Sequence, residues 1–203
     1  GFTFFSGVNT LYNALLHTPG FDRLDFSRLR VSLWGGMAVQ KAVADNWKQV
    51  TGNTLTQAWG LTETSPGATV NRLDAPQFTG SIGLPIPSTT ITIRDDDGNL
   101  LPLGQTGEIC VAGPQVMRGY WNRPDETAKV MLDGGVLRTG DIGYIDERGY
   151  VFIEDRKKDM VLVSGFNVYP NEVEGVVVTH PGVLEVAAVA QPRRLPFVNS
   201  LLE

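Results

Sequence analysis

The stretch LRVSLWGGMAVQKAVADNWKQVTGNTLTQAWG, residues 29–60, decides the fold class. Its first six residues are a short β-forming run that stops at Gly35-Gly36. Residues 39–50 then place apolar side chains at helical spacing and close at Thr51-Gly52-Asn53. A second strand, LTQAW at 55–59, is halted by Gly60. Strand, helix and strand with short links build a parallel sheet, and ligands bind at the C-terminal ends of such strands. Upstream, VNTLYNALL at 8–16 reads as a helix ended by Pro19-Gly20.

Downstream the pattern changes. Residues 80–156 are short strands split by tight turns: TTITIR at 89–94, GEICVA at 107–112, and a hairpin over 144–153 turning at 147–149. One helix, 125–131, interrupts them after Pro124. The charged run 154–159 leads to a strand at 160–163, a Ser164-Gly165-Phe166-Asn167 loop, a helix at 170–179 and a strand at 183–190. The expected fold class is α/β plus β. The end of a parallel α/β subdomain (1–78) is followed by a mostly antiparallel β subdomain (79–157), then by the start of a small α+β C-terminal domain (158–203).

Composition narrows the function. With 17 Lys+Arg against 22 Asp+Glu the 203-residue chain carries a net charge of −5, so it lacks the basic footprint of a nucleic-acid binder. At 42% apolar and 19% charged residues it can bury a core. No apolar run nears the roughly 20 residues of a membrane helix. The N-terminal GFTFF has no basic region of a signal peptide, and Gly1 in place of Met predicts a start inside a longer protein. A single cysteine, Cys110, rules out an internal disulfide and reads as an inert core thiol. His17 and His180 read as capping or turn residues.

Several short motifs carry chemistry, each with a plainer alternative. Trp59-Gly60-Leu61-Thr62-Glu63-Thr64 ends a strand with amides and a hydroxyl for phosphate, a carboxylate for Mg²⁺ and an aromatic face for a base. It also fits a strand-to-helix turn with Thr62 as N-cap. In Thr139-Gly140-Asp141, an exposed Asp could accept from both hydroxyls of a ribose, or simply close a β-turn. Arg156 could reach the same diol, or belong to a solvated linker. Gly35, Gly36 and Met37 permit close approach to a flat ligand, or only a tight loop. Asp95 to Asn99 fails the calcium-loop spacing and reads as a hairpin turn.

Taken in order, WGLTE at 59–63, GSIGLP at 80–85, Gly107-Glu108, Gly119-Tyr120-Trp121, Thr139-Gly140-Asp141, DRKKD at 155–159 and SGFNVYP at 164–170 resemble the AMP-forming acyl-CoA synthetases of the adenylate-forming superfamily. GVNTL at 7–11, Gly35-Gly36-Met37 and VSGFNVYPNEVE at 163–174 are most like bacterial long-chain fatty-acid–CoA ligases. The resemblance implies an enzyme using ATP, Mg²⁺ and CoA with a fatty acid. Thr62 would meet the α-phosphate, Glu63 the Mg²⁺, and Trp59 and Gly60 the adenine region. Asp141 and Arg156 would hold the ribose, while Gly35, Gly36 and Met37 would border adenine and acyl group. Lys158 would be an interdomain hinge and Gly165 would line the CoA channel. It implies no nucleic-acid partner, a cytoplasmic protein, and room for peripheral contact at the inner membrane.

Four departures stand out. Trp59 replaces the usual Tyr, and Arg138 replaces the His of the usual Gly-Trp-Leu-His-Thr-Gly-Asp signature, which bears on acyl preference. The phosphate loop expected upstream and the catalytic Lys expected downstream are not in this sequence, so the stretch alone is expected to be inactive. Other acid–CoA or acyl-AMP ligases, and a non-catalytic nucleotide-binding fragment, remain alternative readings.

Overall fold

The structure is a computed structural model and describes residues 1–35, 41–74, 79–157, 159–163, 166–177, 180, 182–183 and 186–189. The chain divides into two compact units, Gly1–Lys158 and Asp159–Glu203.

The first unit holds two sheets. One runs β1 (Phe4–Gly7), β2 (Val31–Trp34), β3 (Leu55–Trp59), β4 (Thr69–Val70) and β5 (Leu84–Pro85) in that spatial order. β1, β2 and β3 are parallel, as the strand–helix–strand pattern requires. β4 and β5 are added antiparallel, so the sheet is mixed. β1 was not legible as a strand: Phe4 to Gly7 is too short to show alternation, and its ladder to β2 supplies the order.

Helices α1 (Asn9–Leu16) and α2 (Lys41–Thr51) pack an aromatic core on this sheet. Tyr12, Trp34 and Trp47 are fully buried. Trp47 meets Tyr12 edge-on at 4.6 Å and lies parallel to Phe5 at 5.9 Å, both favoured ring geometries. Their polar ends are satisfied: Trp47 Nε1 donates to Ser32 Oγ at 2.9 Å and the Tyr12 hydroxyl to the Leu33 carbonyl at 2.8 Å.

The second sheet holds β6 (Thr90–Arg94), β7 (Gly107–Ala112), β9 (Val136–Ile145) and β10 (Val151–Arg156), with β8 (Met131–Leu132) on β9. Every pairing is antiparallel. Ile82, Ile91, Ile93, Ile109, Val111 and Val151 form its core. α3 (Pro124–Val130) is the expected insert, with Pro at its start and Asp125 and Glu126 in its first turn. Cys110 is fully buried, and burial pushes its thiol up to about 11, as an inert core thiol should behave.

In the second unit β11 (Val161–Val163) pairs antiparallel with β12 (Phe166–Val168), and α4 (Pro170–Val177) follows. Phe166 and Asn167, expected in a loop, are therefore in a strand, because they pair antiparallel with Val163 and Leu162 of β11. The expected strand at 183–190 is not seen among its described residues. Ala188 N–H instead donates to Glu174 Oε1 at 2.8 Å. His17 Nδ1 donates to the Asn13 carbonyl at 2.8 Å and His180 Nδ1 accepts from Gly182 N–H, both local turn contacts. Among the described residues no helix is long and apolar enough to cross a membrane.

Trp47→Phe should cost about 2–3 kcal/mol, from lost packing and the Ser32 hydroxyl left without its donor. Urea unfolding followed by far-UV circular dichroism measures it; an unchanged midpoint would show that this core does not carry the fold.

Candidate functional site

Asp141 owes its position to two register breaks. Between β7 and β9 the partners run Glu108↔Ile142 and then Cys110↔Arg138, so β9 carries extra residues across Thr139-Gly140-Asp141. Between β9 and β10, Glu154 is the extra residue. Bulges bend a strand and re-aim its side chains, commonly beside active sites. Thr139-Gly140-Asp141 therefore lies inside a ten-residue strand rather than in a turn after a short one, which corrects the sequence expectation. Long strand sequences with an internal Gly look broken because the ladder that bridges them is not local.

The bulge is held on all sides. Gly140 N–H donates to Glu108 Oε1 at 3.0 Å, and Gly140's carbonyl accepts from Lys157 N–H at 2.8 Å. Thr139 Oγ1 donates to the Ile109 carbonyl at 2.7 Å. Glu108 is buried and also receives Arg138 Nε at 2.9 Å and Lys157 Nζ at 3.3 Å. Arg138 is thus committed to Glu108 and to the Asp96 carbonyl, which gives its departure from the family signature a structural role within the sheet.

Around Asp141 the sequence-distant residues converge. Trp59 Nε1 donates to Asp141 Oδ2 at 3.0 Å, and Arg156 Nε lies 3.7 Å from Asp141 Oδ1. Arg156 is also the register partner of Asp141 in the ladder. Asp141 is 6% exposed, which corrects the expectation of an exposed carboxylate. Burial raises its pKa above 3.8 despite the Trp59 hydrogen bond and the Arg156 charge, which both favour the anion. Each carboxylate oxygen keeps a second lone pair, so a diol can still be accepted.

Trp59 ends β3, and Gly60 follows because nothing larger fits: a Cβ there would sit 1.7 Å from the Pro66 carbonyl oxygen. A single 3₁₀ turn, Thr62–Thr64, comes next. Thr64, not Thr62, stabilises it: Thr64 Oγ1 accepts from Leu61 N–H at 2.9 Å and donates to the Pro66 carbonyl at 2.7 Å. Thr62 is left exposed at the surface of the turn, which corrects its reading as an N-cap.

Glu63 Oε1 accepts from the Tyr120 hydroxyl at 2.8 Å, and the Glu63 carbonyl accepts from Met117 N–H at 2.8 Å. The carboxylate acceptor pushes the Tyr120 phenol up from its usual value. Tyr120 and Glu108 were visible in the sequence only as parts of motifs; their partners lie too far along the chain for spacing to reveal them. Gly35 follows β2 beside Ala58 of β3, with space for a Cβ. Gly36, Met37, Lys158 and Gly165 lie outside the described residues.

No group of three or more His, Cys, Asp or Glu suited to a metal is found among the described residues. A lone Glu63 carboxylate still fits Mg²⁺ that arrives on nucleotide phosphates, since Mg²⁺ is commonly held by one or two carboxylates plus phosphate oxygens.

Residues 1–121 match the family described as AMP-binding enzyme, and the chain belongs to that family. It is 57% identical over 191 residues to the long-chain-fatty-acid–CoA ligase of Escherichia coli O6:H1, covering 94% of this chain and 34% of that protein. The chain thus spans about a third of the length of the curated relatives it matches. Among solved structures, ATP-bound MatB from Rhodopseudomonas palustris is 37% identical with a TM-score of 0.87, covering 95% of this chain and 38% of that one. O-succinylbenzoate coenzyme A synthetase (MenE) from Bacillus subtilis, in complex with AMP, is 31% identical with a TM-score of 0.81, covering 95% and 39%.

Asp141 has a folded pKa above its unfolded value, so in the window above 3.8 the native state binds more protons and loses stability as pH rises. Asp141→Asn should therefore raise the urea midpoint at neutral pH, with the gain shrinking as pH falls toward 3.8. A lower midpoint at neutral pH would contradict the account of burial as the dominant cause.

Proposed function

We propose that this chain is the nucleotide-binding part of a long-chain fatty-acid–CoA ligase. The observation that supports it best is the buried Asp141, with Trp59 on one oxygen and Arg156 near the other. In this reading residues 1–157 are the end of the large domain (α/β to 78, β-rich to 157) and residues 158–203 begin the small one, one residue before the boundary between the two compact units. Asp141 and Arg156 hold the ribose diol, and Trp59 and Gly60 flank the adenine. Thr62 donates to the α-phosphate. Glu63 holds the Mg²⁺ that neutralises phosphate charge. Gly35, Gly36 and Met37 border adenine and acyl group, Lys158 is the hinge, and Gly165 lines the CoA channel.

The reaction of the intact enzyme has two steps. The fatty carboxylate attacks the α-phosphorus of ATP, giving acyl-adenylate and releasing pyrophosphate. The CoA thiol then attacks the acyl carbonyl, its proton is lost, and AMP leaves from the acyl-CoA. Neither step needs a side-chain nucleophile. Both need reacting groups aligned and charge compensated, which suits a chain with a single, buried cysteine. A cytoplasmic enzyme touching the inner membrane peripherally fits water-insoluble substrates.

A full-length ligase provides the test. Replacing the matching 191 residues of the Escherichia coli O6:H1 relative with this chain should preserve ATP–pyrophosphate exchange with a long-chain fatty acid. Asp141→Ala in that chimera should cut exchange by about 100-fold, the loss of hydrogen bonds to a charged group. The 203 residues alone should show no enzyme-like exchange. A folded but inactive chimera, or full activity without the Asp141 carboxylate, would refute the assignment. Exchange with short or aromatic acids only would favour another acid ligase of the same family.

A further inference from the structure

Tyr120 has no part in the reading above, yet its hydroxyl is held on the carboxylate assigned to the metal. Three separate contacts fix the loop that carries it. Met117 N–H donates to the Glu63 carbonyl at 2.8 Å, which ties the loop to the 3₁₀ turn. Tyr120's own N–H donates to Thr127 Oγ1 at 2.9 Å, and that hydroxyl donates to the Arg123 carbonyl at 2.9 Å, which ties the loop to α3. The third contact is the hydroxyl on Glu63 Oε1. Gly119 makes the second contact possible: its φ is +152°, and a Cβ there would lie 2.7 Å from Thr127 Cγ2.

Glu63 is a flexible side chain at the surface of a one-turn helix, so its carboxylate would otherwise sample several rotamers. A phenol on Oε1 fixes the plane of that carboxylate. Oε2 and the second lone pair of Oε1 remain as acceptor sites. We propose that Tyr120 is the positioning residue of Glu63, holding the carboxylate in the orientation that meets a divalent cation arriving on a nucleoside triphosphate. This deepens the reading of Glu63 as the acid that holds Mg²⁺ and rests on it. Tyr120 does not touch the cation; it acts through Glu63. The phenol also stays bonded when the cation comes, because it uses one of about four acceptor positions of the carboxylate.

Calorimetric titration of the full-length chimera with ATP, in the absence of fatty acid, once with magnesium in excess and once with EDTA, gives the magnesium advantage as a ratio of affinities. Tyr120→Phe should lower this ratio about tenfold, as for loss of a hydrogen bond to a charged group, while leaving the EDTA affinity and the AMP affinity unchanged. Glu63→Gln should abolish the ratio. A Tyr120→Phe variant that weakens both titrations equally plays a merely structural role, and the proposal falls. So it does if Tyr120→Phe keeps the full ratio while Glu63→Gln abolishes it; the reading of Glu63 then survives alone. A Glu63→Gln variant with the wild-type ratio, or an unsubstituted chimera that exchanges ATP and pyrophosphate but shows no magnesium advantage, overturns the reading of Glu63 and the proposal together.

Discussion

The constraint on which the site depends is the extra length of β9 opposite Glu108. A regular antiparallel ladder pairs residues one for one, and it would keep Thr139, Gly140 and Asp141 alternating across a flat sheet. The bulge lets the strand bend at Gly140, and Asp141 has no partner on β7 while it stays paired with Arg156 of β10. Once turned, Asp141 lies where the indole of β3 and the guanidinium of β10 reach it. The two sheets of the first unit thus share a carboxylate.

Such a bend needs support, because an irregular backbone leaves amide and carbonyl groups to satisfy. Glu108 takes the Gly140 N–H and Lys157 N–H takes its carbonyl. Glu108 is itself a buried charge, tolerable only because Arg138 and Lys157 surround it, and Lys157 reaches on to Asp96 at 2.6 Å. Removing the Glu108 carboxylate would leave the Gly140 N–H without its acceptor and take from Arg138 and Lys157 the buried charge they share. The arginine at 138, a departure from the usual signature, and the lysine at 157, part of a charged run, form the support beneath the Asp141 bulge.

Asp141 also shows why the site is costly to fold. Its burial works against the charged form, and the carboxylate is kept near a donor and a cation rather than in water. A polar group held this way is ready to accept hydroxyls without first shedding solvent, the preorganisation that binding sites gain at the expense of stability.

The amino-acid sequence by itself determined much of this protein. The β-formers of 31–34 and 55–59, the helical spacing between them, and the turn residues of 95–99 and 146–149 act over a few positions, and each element appears where local chemistry places it. Cys110 was legible as a core thiol because strand alternation is a local pattern. What only the tertiary structure decided is which distant groups meet. β1 becomes a strand through its partner at 31–34, the segment Thr139 to Asp141 becomes a bulge through Glu108, and Thr64 rather than Thr62 holds its turn. Trp59 finds Asp141, and Tyr120 finds Glu63, because the sheets and loops fold them together; neither periodicity nor spacing carries a hydrogen bond between residues so far apart in the chain.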